Sequence, residues 1–136
     1  MTAGLRVIRA GDRKPEQASG GMRREAAVSQ ALTGAQRIWV GYVELDPYDI
    51  SAAHHHGEAE SAIFIISGRA RFIADGALHE AEAGDFVWVP PHVLHVEANV
   101  GSEPVRMVVA RSTQETLVFN VEMPEGWAAL AVGQPR

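Results

Sequence analysis

Cysteine is missing from all 136 residues. That excludes disulfides and thiolate ligands, so any metal must be held by histidine, carboxylate or water. Long apolar runs are missing too: none approaches the roughly 18 residues that a membrane-spanning helix needs. The first residues, Met1-Thr2-Ala3-Gly4-Leu5-Arg6, lack the apolar stretch of a secretory signal. Positive charge is in deficit, with a formal net charge of −5, which disfavours a nucleic-acid partner. The chain is also too short to hide a separate DNA-binding module. These absences lead us to expect a cytoplasmic protein with no membrane and no nucleic-acid partner.

What is present reads as one domain over residues 1–136, able to bury about 65–70% of its unfolded surface. Residues 1–35 form an N-terminal arm. Within it, Leu5–Ile8 reads as a short strand, Gly11–Gly21 as a loop, and Met22–Ser29 as helix or strand. From Gln36 to Asp46 the residues alternate: Ile38, Val40, Tyr42 and Glu44 share one face, Trp39, Val43 and Leu45 the other. That period of two marks a strand. Further strands are expected over 51–56, 63–66, 69–74, 78–83, 86–89, 94–98, 105–111 and 116–121. Ser67-Gly68, Asp75-Gly76, Gly84-Asp85 and Pro90-Pro91 supply the turns. Short strands between Gly, Pro and Asp turns predict an all-β barrel or jelly roll with its core over 36–121. A tail, 122–136, carries Trp127 as a brief helix or a docking arm.

Half of the six histidines fall in two short clusters' first member, His54-His55-His56, which is followed by Glu58 and Glu60. On a strand, residues two apart share a face, so His54 and His56 point one way and His55 the other. Two such imidazoles reach a common ion at about 2.0–2.2 Å per bond. His95, in the second cluster Gly84–His95, is the candidate third ligand. Several imidazoles in a low-dielectric interior resist being charged together, and a divalent ion resolves this by binding the neutral form. The plain alternative is that adjacent histidines are polar filler on an exposed loop. His92 either lines a pocket mouth, as an acid–base group or an extra ligand, or is a surface turn residue. His79 reads as solvated, as do Arg69 and Arg71 unless they lie at an interface. Trp39, Tyr42, Phe64, Phe72, Phe86 and Trp88 read as core, with one or two of them lining the cavity as the alternative, and Asn99 as a turn-fixing side chain.

The two clusters resemble the paired motifs of the cupin superfamily, over roughly residues 38–111. The second motif is met by Gly84, Pro90, His95 and Asn99, with His92 where the family has an inner glycine. The first is met by His54, His56 and Gly68, but at the family's spacing from Gly68 the carboxylate ligand falls on Ser61, and Glu60 lies one residue early. The resemblance implies a cupin-type double-stranded β-helix with metal ligands His54, His56, Glu60 and His95. Glu60 serves only if a bulge re-aims it; otherwise Ser61 faces the site and water completes it. The resemblance also implies a homodimer, with Met22–Ser29 as the strand lent to a partner.

The expected cofactor is one divalent transition metal: Zn, Fe, Mn or Ni. The expected function is enzymatic, on a small organic and polyketide-like or aromatic substrate. A Lewis-acidic ion would polarise a carbonyl and favour cyclisation or isomerisation, with His92 as the catalytic proton carrier. Small single-domain cupins that act as polyketide cyclases look similar. The alternatives are an Fe(II)-dependent dioxygenase and a non-enzymatic small-molecule-binding cupin.

Overall fold

The computed structural model describes residues 4–18, 20–115 and 117–132. Parts of the expected arm (1–3), loop (19), last strand (116) and tail (133–136) lie outside the described residues. After a 3-10 turn at Ala10–Asp12 the strands are β1 (Lys14–Glu16), β2 (Met22–Val28), β3 (Trp39–Leu45), β4 (Ala53–His55), β5 (Ser61–Ser67), β6 (Arg69–Ala74), β7 (Ala77–Glu82), β8 (Phe86–Val89), β9 (His95–Asn99), β10 (Val105–Arg111) and β11 (Phe119–Val121). Two helices, α1 (Gln30–Thr33) and α2 (Trp127–Val132), complete the described elements. Six strands form one sheet in the order β1-β2-β3-β10-β5-β8, and five form a second in the order β11-β4-β9-β6-β7. Every pairing between them is antiparallel. This is the jelly-roll arrangement expected from the strand and turn pattern.

Alternation places the core between the sheets. In β3, Trp39, Val43 and Leu45 are buried while Val40, Tyr42 and Glu44 are half-exposed. Val43 lies opposite Met107, and Met107 opposite Ile65, so three strands align one apolar row. With Ile63, Phe72 and Val105 these residues form the main core. Each such side chain contributes about 1.5–3 kcal/mol on burial. The turns follow the sequence. Asp75 and Gly76 both have positive φ, 53° and 70°, as a two-residue hairpin turn requires. Gly68 has φ 84°, and a Cβ there would meet the Pro104 carbonyl at 2.6 Å, so only glycine fits.

Several expectations are corrected. Leu5–Ile8 is no strand, because among the described residues nothing pairs with it; Leu5 and Val7 are exposed. Met22–Val28, read as helix or strand, is a strand paired with β1 and β3. Phe86 and Trp88 are exposed, because β8 is a sheet edge whose inward residues are Val87 and Val89. Arg71 is buried, not solvated. Its strand is covered on the outer side by α2, and it donates to the Leu130 carbonyl at 3.2 Å. Beneath α2 lie Ile73, Val96, Ala98 and Ala53, packed with Trp127 and Ala131. Thus β9 is buried on both faces: Val96 and Ala98 meet the helix, and His95, Glu97 and Asn99 face the other sheet. Asn99 fixes its turn as expected, donating to Leu45 and Glu103 carbonyls and accepting from Gly101 N–H.

Candidate metal centre

Strands β4 and β9 are neighbours, and their register sets His54 directly opposite His95. His56 follows two residues after His54 and turns back to the same side. The ring centroids lie 4.3 Å apart for His54–His95, 5.0 Å for His54–His56 and 5.4 Å for His56–His95. Their candidate ligand atoms all lie within 4.8 Å of one another.

Each ring is held by the same device. The Nδ1 of His54 bonds the Ala52 carbonyl at 2.7 Å, that of His56 the Leu117 carbonyl at 2.8 Å, and that of His95 the Val93 carbonyl at 3.0 Å. A carbonyl only accepts, so each Nδ1 carries the proton. The Nε2 of His54 and His56 is left as a lone pair, while that of His95 faces the Glu97 carboxylate at 3.2 Å and donates to it until a cation replaces the proton. This is how protein histidines are oriented and polarised for a metal.

Glu60 is not among them. Ser61 pairs in regular register with Arg111 on one side and Val89 on the other, and the only shift in the β5–β10 ladder falls between Arg106 and Met107. No bulge turns Glu60 inward. Its backbone is pinned to Ser112, and its carboxylate accepts from the exposed Trp88 indole N–H at 2.7 Å. Ser61 is the residue that faces the histidines, buried and lining their cavity. His92 is not brought to the cluster either. It is exposed in the β8–β9 turn with φ 65°, donating its backbone N–H to the Gly57 carbonyl at 2.7 Å. His55 faces away, as expected, and stacks on Phe119. His79 is exposed on β7.

Glu97 is the residue that the sequence reasoning missed. It lies two positions after His95 on β9, hence on the same face. The signal was the period of two already used for His54 and His56. Its Oε1 is 3.2 Å from His95 Nε2 and 3.8 Å from His54 Nε2. Its Oε2 has no hydrogen-bond partner among the described residues.

Burial pushes the His54 imidazole below its ordinary value and takes His56 down to about 4. His95 goes the other way: burial acts to lower it, but the hydrogen bond and charge of Glu97 outweigh that and raise it. For Glu97 burial acts upward, yet the hydrogen bond from His95 and the histidine charges bring it down to about 2. The centre therefore presents a carboxylate paired with His95 and inward lone pairs on His54 and His56, and a cation in place of the His95 proton answers all of them.

These groups line a cavity of about 30 Å³, close to the space of one water or ion. Arg24 and Arg111 line it from the opposite sheet, both buried and both near the Trp39 ring. Arg111 Nη2 has no hydrogen-bond partner among the described residues. Burial lowers the Arg111 guanidinium to about 10, which leaves it charged at neutral pH. A second cavity of about 490 Å³ opens between β7 and β8, walled by Phe72, Phe86, Trp88, Pro90 and Val93. His95 and Val89 line both cavities, so the larger one abuts the histidine centre.

The cupin domain family matches residues 41–111. The polyketide synthase CurC of Streptomyces cyaneus is 26% identical over 103 residues, 76% of this chain; the match spans 66% of that protein's length. Among solved structures, the polyketide cyclase RemF from Streptomyces resistomycificus superposes with a TM-score of 0.75 at 20% identity, covering 90% of this chain and 89% of that one. The Lactobacillus farciminis oxalate decarboxylase formate complex superposes with a TM-score of 0.71 at 20% identity, covering 82% of this chain and 34% of that one. The likeness in fold thus extends to proteins of different named activities.

Proposed function

The chain belongs to the cupin family, and we propose that it is a metal-dependent enzyme that enolises and then cyclises or isomerises a small, oxygen-rich, polyketide-like substrate. The observation that carries this reading is the common orientation of His54, His56 and His95. Each is held through Nδ1 by a backbone carbonyl, with the Nε2 atoms left for one ion. The polyketide names of two relatives favour the substrate class.

A divalent ion held there, Zn²⁺, Fe²⁺, Mn²⁺ or Ni²⁺, would supply Lewis acidity to a substrate carbonyl. The chain's own residues place the substrate and stabilise its charge. The cavity of about 30 Å³ has room for an ion and a substrate oxygen bound to it, but not for the body of a substrate. The substrate body therefore lies in the neighbouring cavity of about 490 Å³, where Phe72, Pro90 and Val93 offer an apolar wall to a flat ring. Arg111 Nη2, a buried donor without an acceptor, is suited to a developing enolate oxygen. Closure of the site by Val89 and the β3–β10 core keeps water from competing for that oxygen. The reading includes a homodimer in the cytoplasm; sedimentation velocity checks the assembly, and a monomer at working concentration overturns that part alone.

The test is elemental analysis of the purified protein together with deuterium exchange into a 1,3-diketone. About one transition metal per chain is expected, with metal-dependent exchange at the carbon between the carbonyls. Both should be lost in His54→Ala/His95→Ala. Protein that retains no ion after purification in metal-supplemented buffer overturns the reading. The carboxylate beside the histidines favours one second reading, since an oxygen donor also suits Fe²⁺. Oxygen consumption in step with substrate loss would select a dioxygenase instead.

A further inference from the structure

We infer that Glu97 is the fourth protein ligand of the ion, so that the carboxylate of this centre comes from β9 rather than from the β4–β5 connection. The inference rests on the metal reading proposed above and deepens it. Of the acidic side chains near the histidines, Glu60 is turned outward and engaged by Trp88. Glu97 is turned inward and has 4% of its surface exposed. Its Oε1 lies 3.2 Å from His95 Nε2 and 3.8 Å from His54 Nε2. Adjacent ligand atoms on one ion with bonds of about 2.0–2.2 Å are separated by roughly 3–3.5 Å. The carboxylate therefore needs only a small rotation to share the ion with both rings.

Two further features support ligation. Oε2 is buried without a hydrogen-bond partner among the described residues, a state that costs free energy unless something binds there. The Glu97 backbone is also clamped: its N–H donates to Ser51 Oγ at 2.9 Å, and its carbonyl accepts from Ser51 N–H at 2.8 Å. A ligand needs such a rigid base. The competing role is outer-sphere. There Glu97 would hydrogen-bond His95 or balance Arg24 and Arg111 without touching the ion. Against it, His95 Nδ1 already has its carbonyl partner, and once Nε2 binds an ion it has no proton for Glu97 to accept.

With the carboxylate on β9, the position filled by Ser61 carries only a short hydroxyl. The ion is then open on the β5 side, toward Arg111, which lies opposite Ser61 in the sheet. The substrate oxygen is expected to bind in that opening.

The test uses Co²⁺ as the probe, reading both its affinity by chelator competition and its visible absorption. Wild type should bind about one Co²⁺ per chain. Glu97→Gln should weaken binding by more than the roughly 10–100-fold that an outer-sphere partner is worth, and should shift the d–d bands. Glu97→Gln/Ser61→Glu should recover part of the affinity by supplying a carboxylate from the facing strand. If Glu97→Gln fails to fold by circular dichroism, Glu97→Asp keeps the charge, retracts the carboxylate and takes the same readouts. Unchanged bands with a loss within 100-fold would overturn the inference while leaving the three-histidine site intact. A wild-type protein that binds no Co²⁺ would instead overturn the metal reading itself.

Discussion

His92 places an imidazole where the backbone is left-handed, at φ 65°. A side chain there costs roughly 1–2 kcal/mol, and the ring is exposed, away from both cavities. We therefore expect His92→Gly to raise stability by about 1 kcal/mol, less the entropy glycine adds to the unfolded chain. Urea unfolding measures this, and metal content should not change. Metal lost in that variant would return His92 to the centre. The same residue shows what was legible in the sequence. Its place in the glycine slot was readable; whether it faced the site was not, because a turn residue has no periodicity to orient it. His54, His56 and His95 were readable because a period of two fixes the face. Glu60 and Ser61 were ambiguous for the same reason, since one residue of register reverses the face. Hydrogen bonds to Ser112 and Trp88, distant in sequence, decide that Glu60 points outward.

Elements were legible where one face is wet. Strand β3 alternates cleanly because its outer side is half-exposed. Strand β6 misled, since Arg71 suggested a solvated face that α2 in fact covers. Nothing local in residues 69–74 announces a helix that arrives more than fifty positions later. That helix now supports a prediction. Trp127 packs on the outer face of β9 and β6, the face opposite His95 and Glu97. Trp127→Ala should cost about 2 kcal/mol, below the 3–5 typical of a fully buried tryptophan because the ring is only partly buried. Hydrogen exchange should quicken in residues 127–132 and in β6, while one metal per chain is retained. A loss of metal equal to that of a histidine variant would show that α2 sets the geometry of the centre and does more than cover the sheet.

For the whole molecule, an ion held at the proposed centre would act as a folding ligand. His54 and His56 come from one side of the β4–β5 connection and His95 from β9, so the site exists only when the second sheet is assembled. Anything that binds the folded state alone stabilises it by about 2.7 kcal/mol at a hundred times its dissociation constant. For a domain of this size that is roughly 10 °C in Tm. Stripping the metal with a chelator should lower the melting temperature by about that amount, and restoring it should reverse the change. His54→Ala/His95→Ala should show no response to either treatment. The double variant also removes the His95 partner of the buried Glu97 carboxylate, 3.2 Å away, and the nearby His54 ring. Its melting temperature is therefore expected to fall below that of stripped wild type, because a buried carboxylate left unpaired is destabilising. Calorimetry of the three forms side by side measures this. A double variant whose Tm still climbs with added metal would place the ion on other side chains. A wild type indifferent to the chelator while retaining one metal per chain would mean that the ion contributes to chemistry without contributing to the fold.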